Sequence, residues 1–118
     1  MKKVLVVDDD TDILELVKLA LTMNGLEVSV LSRWERIDDT IREFMPGLIL
    51  LDISLGTADG REICRKLKAA EATKDIPVIL FSANIEFQKG IDQYQAEGFI
   101  AKPFELRKLV ETVRASAR

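Results

Sequence analysis

The chain has no histidine, one cysteine, three prolines, one tryptophan and one tyrosine among its 118 residues. Without an imidazole, Ser-His-Asp and Cys-His catalysis are excluded, and a lone thiol at Cys64 leaves no zinc ligand set. The same count excludes an internal disulfide. A dominant charge sign is also lacking: the net charge is −3 and the pI is near 5.0. The lysines and arginines are scattered apart from a basic last helix with Arg107, Lys108, Arg114 and Arg118. With no basic footprint, the charge pattern argues against direct nucleic-acid binding. No apolar run approaches the roughly 20 residues of a membrane span. The opening MKKVLVV breaks at Asp8, too early for a signal peptide. These absences read as a soluble, cytosolic chain with no membrane partner. Its length suits a single domain over residues 1–118, too short for a catalytic domain with a cap or effector attached. Any chemistry must use carboxylates, hydroxyls and lysine, and an imidazole, if needed, must come from another protein.

What is present is a set of four apolar runs, each stopping at a polar group able to handle phosphate. VLVV ends at Asp8-Asp9, LILL at Asp52, VILF at Ser82 and FIA at Lys102-Pro103. Near-continuous apolar runs of this length fit strands buried on both faces, as in parallel sheets covered by helices. Parallel strands end on one edge, so these groups should meet at the carboxyl edge, where open α/β sheets bind their ligands.

Between the runs the apolar period changes to that of helices. Asp10 or Thr11 can cap a first helix with Ile13, Leu16, Val17, Ala20 and Leu21 on its inner stripe and Asn24-Gly25 as its stop. Leu14 and Leu19 fall off that stripe and read as exposed leucines or as a kinase-docking surface. Residues 26–31 (LEVSVL) form a strand, and Trp34, Ile37, Ile41 and Phe44 make a second helical stripe ended by Pro46-Gly47. Asp59 can cap a third helix carrying Ile63, Cys64 and Leu67, with Cys64 an inert buried thiol; Pro77 opens the next strand at no cost in ladder bonds. From Asn84 to Gln95 the apolar residues Phe87, Ile91 and Tyr94 predict a short or mobile helix interrupted by Gly90. A fifth strand near Gly98–Ala101 and a last helix with Leu106, Leu109, Val110 and Val113 complete a five-fold alternation. That alternation predicts a parallel sheet with helices on both faces.

Two adjacent acids at one strand end and a third at a neighbouring end make a hard, oxygen-lined pocket suited to Mg²⁺. Once charge crowding is offset, one carboxylate can attack a phosphoryl group. The transfer then needs positioning and neutralisation, roles that Lys102 and Ser82 fit.

With these residues in place the sequence resembles, over essentially its whole length, the receiver domain of two-component response regulators. VVDDD resembles the family's acidic strand end, LLDISL its phosphoacceptor segment, FSA its switch hydroxyl and AKPF its phosphate-binding lysine. The resemblance implies a flavodoxin-like, doubly wound five-stranded sheet of order 2-1-3-4-5. It implies Asp52 as phosphoacceptor and Lys102 and Ser82 as the groups that bind phosphoryl oxygens. Mg²⁺ would be held by Asp8 (through water), Asp9, Asp52 and the Ser54 backbone carbonyl, while Asp10 acts as a cap or supporting acid. Pro103 matches a position that usually follows a cis bond, Asp59-Gly60 the acid-glycine pair opening the third helix, and Phe99 the switch aromatic. A simpler reading makes Phe99 plain core packing.

The implied function is that of a switch rather than an enzyme. A phosphohistidine on a sensor kinase or histidine phosphotransfer protein donates to Asp52, Ser82 turns toward the phosphoryl group, and Phe99 fills the vacated space. The change in packing controls a downstream protein partner, and a second copy of the chain, meeting through the last two helices, is a further candidate. The chain departs from the pattern in three places. Leu55-Gly56 stands where Met-Pro is common, which predicts a looser loop. Phe99 lacks the commoner tyrosine's hydroxyl, and the segment after Ser82 is shorter than usual. With no effector domain in view, the expectation is a stand-alone regulator or relay intermediate, with a receiver excised from a longer protein as the alternative. Two rival functions are a haloacid-dehalogenase-like phosphatase using Asp8 as nucleophile with Asp10, and a pseudo-receiver that only docks to partners.

Overall fold

The computed structural model describes residues 1–118. In chain order the elements are β1 (Lys3–Val7), α1 (Thr11–Met23), β2 (Glu27–Leu31), α2 (Ile37–Phe44), β3 (Leu48–Asp52), β4 (Ser54–Leu55), β5 (Ala58–Asp59), α3 (Gly60–Ala69), β6 (Val78–Ser82), β7 (Gly98–Ala101) and α4 (Leu106–Ser116). The five longer strands form one parallel sheet ordered β2-β1-β3-β6-β7, the doubly wound order expected, and β4 and β5 form a small antiparallel hairpin.

Alternation along each strand divides the core in two. Val4, Val6, Leu48, Leu50, Ile79 and Phe81 face α1 and α4. Leu5, Val7, Ile49, Leu51, Val78 and Leu80 face α2 and α3. β1, β3 and β6 are thus covered on both faces, which is why their sequences read as unbroken apolar runs.

Three helical expectations need correction. In α1 the buried residues are Leu14, Val17 and Leu21, whereas Leu16 is 46% exposed. At about 100° per residue the inner face centres on Val17: Leu14 lies about 60° round from it and Leu16 about 100°, beyond the rim. Leu19 is exposed as expected. Trp34 belongs to a 3₁₀ turn (Trp34–Arg36) ahead of α2, and α2 stops at Met45, whose φ of 53° is left-handed, before Pro46 is reached. Between β6 and β7 there is no α-helix, but two 3₁₀ turns, Ile85–Gln88 and Ile91–Tyr94. Gly90 between them has a φ of 75°, which a continuing right-handed helix does not permit.

Candidate functional site

Each strand end delivers its polar group to the same edge. The Asp8 side chain is fully buried; its Oδ1 accepts the Asp10 N–H at 2.9 Å and its Oδ2 accepts the Lys102 ammonium at 2.8 Å. Asp9, next in the same turn, is exposed. Asp10 takes the N-cap of α1, its Oδ1 accepting the N–H groups of Asp12 (3.0 Å) and Ile13 (3.3 Å), so it supports the turn.

Asp52 closes β3 and is only 4% exposed. Its Oδ1 lies 3.4 Å from the Lys102 ammonium and accepts the Ser54 N–H at 3.4 Å. Burial first, and then the negative charge of Asp8, push the Asp52 carboxyl up to about 6, against the opposing pull of Lys102 and the Ser54 N–H. The loop after it folds back as a short hairpin. Gly56 turns it with a φ of 67°, and Ser54-Leu55 pair with Ala58-Asp59. Asp59 caps α3 through Arg61 N–H at 2.9 Å. The following residue must be glycine for a steric reason, because a Cβ on Gly60 would come within 2.1 Å of the Asp52 carbonyl oxygen.

Ser82 ends β6, buried, and its Oγ accepts the Asn84 N–H at 3.0 Å. Its carbonyl accepts the Lys102 N–H at 2.8 Å, which fixes where β7 delivers the lysine. The Lys102–Pro103 bond is cis, as that motif suggested. One contributor went unnoticed in the sequence: the Phe81 ring, whose centroid is 4.5 Å from the Lys102 ammonium. Its only signal was its place in the strand, one residue before Ser82. Phe99 sits beside Leu80 in register and is partly buried against the α2/α3 side of the core.

The edge therefore gathers three carboxylates against one ammonium, and oxygens of Asp8, Asp9 and Asp52 lie within 4.8 Å of one another. An all-oxygen set with surplus negative charge suits a hard divalent cation such as Mg²⁺. No buried side-chain nitrogen or oxygen is left without a partner, so the edge is already organised by its own hydrogen bonds.

Comparison with known proteins agrees with this geometry. The model of the response regulator receiver domain matches residues 4–114. The phosphate regulon transcriptional regulatory protein PhoB of Pseudomonas aeruginosa is 37% identical over 119 residues, covering 99% of this chain and 52% of that protein. The DNA-binding dual master transcriptional regulator RpaA of a Synechocystis strain is 32% identical over 120 residues, covering 100% of this chain and 50% of its own. Among solved structures, the N-terminal signal receiver domain of a two-component response regulator from Bacteroides fragilis superposes with a TM-score of 0.89 at 29% identity, covering 100% of this chain and 98% of that one. A CheY-like receiver domain protein from Methanospirillum hungatei gives a TM-score of 0.86 at 28% identity, covering 98% and 92%. The chain spans about half the length of the curated relatives it matches. No helix is long and apolar enough to cross a membrane. Fold, strand-edge chemistry and sequence match converge on one assignment: the chain belongs to the response regulator receiver domain family of two-component signal transduction.

Proposed function

We propose that Asp52 is the phosphoacceptor and that residues 1–118 act as one receiver unit, taking the phosphoryl group from a phosphohistidine on a kinase or phosphotransfer partner. The observation that carries this reading is the placement of Asp52 beside both the Lys102 ammonium and the Asp8/Asp9 acids. An Asp52 carboxylate oxygen attacks phosphorus, the P–N bond breaks with its electron pair going to the imidazole nitrogen, and an acyl phosphate forms. Lys102 holds one phosphoryl oxygen and the Ser82 hydroxyl turns from Asn84 to donate to another. A Mg²⁺ ion held by Asp8, Asp9, Asp52 and the Ser54 carbonyl supplies charge neutralisation when bound. Phosphorylation replaces the single negative charge of the Asp52 carboxylate by an acyl phosphate of roughly −1.5 to −2 in a buried place, and the shift of Ser82, with Phe99 following into the space it leaves, biases the domain between two packings. The output is recognition of a downstream protein.

The Asp8 phosphatase reading is weaker, because both Asp8 oxygens are engaged, one by backbone N–H and one by Lys102. Incubation with acetyl phosphate and Mg²⁺, followed by hydroxylamine, tests the proposal. One hydroxamate per chain, mapped to Asp52, is the expected result. Continuous turnover of a phosphomonoester that Asp8→Asn abolishes and Asp52→Asn spares is the result that would contradict it.

A further inference from the structure

The two turns between β6 and β7 contain no fully buried residue, yet they are held against α3 by contacts that the phosphoryl chemistry does not use. The Arg61 guanidinium pairs with Asp59 through Nη2 at 2.7 Å from Oδ2 and Nε at 3.1 and 3.2 Å from the two oxygens. The same guanidinium lies 4.2 Å from the Phe87 ring centroid and 5.4 Å from that of Tyr94. Arg65, one turn further on, lies 4.6 Å from the Tyr94 ring, and the Cys64 thiol donates to the Tyr94 carbonyl at 3.3 Å. A guanidinium fixed by a carboxylate and stacked on a ring is oriented as well as charged, so it sets where Phe87 rests.

Both ends of this bridge start at the reactive edge. On one side, Asp59 caps α3 and Gly60 lies hard against the Asp52 carbonyl. On the other, Asn84 donates its N–H to Ser82 Oγ at 3.0 Å, and its own Oδ1 accepts the Glu86 N–H at 3.0 Å, starting the turn that carries Phe87. When the Ser82 hydroxyl turns to a phosphoryl oxygen, the Asn84 N–H loses its acceptor and that turn loses its anchor. A contact made in one packing and not in the other biases the equilibrium, and linkage makes the bias reciprocal.

We propose that Arg61 is a positioning residue that latches the Asn84–Gln95 segment to α3 in the unphosphorylated packing, and thereby sets how readily Asp52 is phosphorylated. This inference rests on the roles given above to Asp52 and Ser82.

The test is a double-variant cycle on the full chain, with the initial rate of adduct formation from acetyl phosphate and Mg²⁺ followed by intact mass. Arg61→Met keeps the apolar stem and removes the fork; Phe87→Leu removes the ring. Each is expected to raise the rate by roughly two- to fivefold, the range of one partly exposed cation–π contact. The double variant should be no faster than either, and Arg61→Lys should restore part of the slow rate. In the wild type, the Phe87 ring resonances should move on phosphorylation, toward the position they hold in unphosphorylated Arg61→Met. An Arg61→Met rate equal to or below wild type, rate factors that multiply in the double variant, or a Phe87 ring unmoved by phosphorylation each overturn the latch. Wild type that takes no adduct, or an Asp52→Asn variant that takes one equally well, brings down the Asp52 reading and the latch with it; a normal Asp52 adduct with an unchanged Arg61→Met rate brings down the latch alone.

Discussion

Replacing Asp52 by asparagine should stabilise the fold, and by an amount that depends on pH. Burial and the neighbouring Asp8 raise the folded-state carboxyl from its ordinary 3.8 to about 6. A raised carboxyl favours the protonated fold. Its contribution to stability is fully present below the unfolded value near 3.8 and is lost as pH rises through about 6. The difference between those two values corresponds to roughly 3 kcal/mol. Asp52 is nearly inaccessible, so screening by solvent removes little of this. The uncharged amide of Asp52→Asn would carry no such penalty. The advantage of Asp52→Asn over wild type should therefore grow by about 2.5 kcal/mol between pH 4 and pH 8, because about 0.5 kcal/mol is already lost at pH 4. With a urea slope of about 2 kcal/mol/M for a domain of this size, that is a midpoint separation increasing by about 1.2 M. The assay is urea unfolding of both proteins at the two pH values in the presence of a chelator, since bound cation would offset the repulsion. A separation between the two midpoints that is the same at pH 4 and pH 8 would refute the reasoning.

Two further substitutions probe the supports of the site. Gly60→Ala forces a Cβ to within 2.1 Å of the Asp52 carbonyl oxygen, so the acceptor strand or α3 must shift by about 1 Å. A loss of about 1–3 kcal/mol is expected, with a fall in phosphorylation rate on the order of 100-fold; a rate within twofold of wild type would contradict the close approach. The Lys68 side chain is 5% exposed and its ammonium donates to Glu97 at 2.8 Å and to the Ile76 carbonyl at 2.7 Å, while Glu97 accepts the Val78 N–H at 2.7 Å. Lys68→Met should cost about 1–3 kcal/mol by chemical denaturation, the lower end applying because Glu97 is partly solvated; an unchanged midpoint would show that the pair contributes nothing.

The strands were legible because three of them are buried on both faces, so Val4–Val7, Leu48–Leu51 and Val78–Phe81 carry no polar interruption until the sheet edge. The same property marked Asp8, Asp52 and Ser82, since a polar residue that ends such a run must lie on the edge. The inner face of α1 was harder to read. Leu14 and Leu16 flank the same stripe, and only packing against the sheet decides that Leu14 is inside. The segment after Ser82 was least legible. Its aromatic residues pair with Arg61 and Arg65 on another helix instead of with a face of their own. A cation–π contact across 26 residues leaves no period in the sequence. The Phe81 ring beneath Lys102 was hidden likewise, because one aromatic in an apolar strand reads as core.

The most direct test of the account is the intact mass of the chain after incubation with acetyl phosphate, with and without Mg²⁺, for the wild type and Asp52→Asn. A single phosphoryl adduct on the wild type that requires Mg²⁺ and is absent from Asp52→Asn is the predicted result. No adduct on the wild type, or one that survives the loss of Asp52, would contradict the assignment of Asp52 as phosphoacceptor.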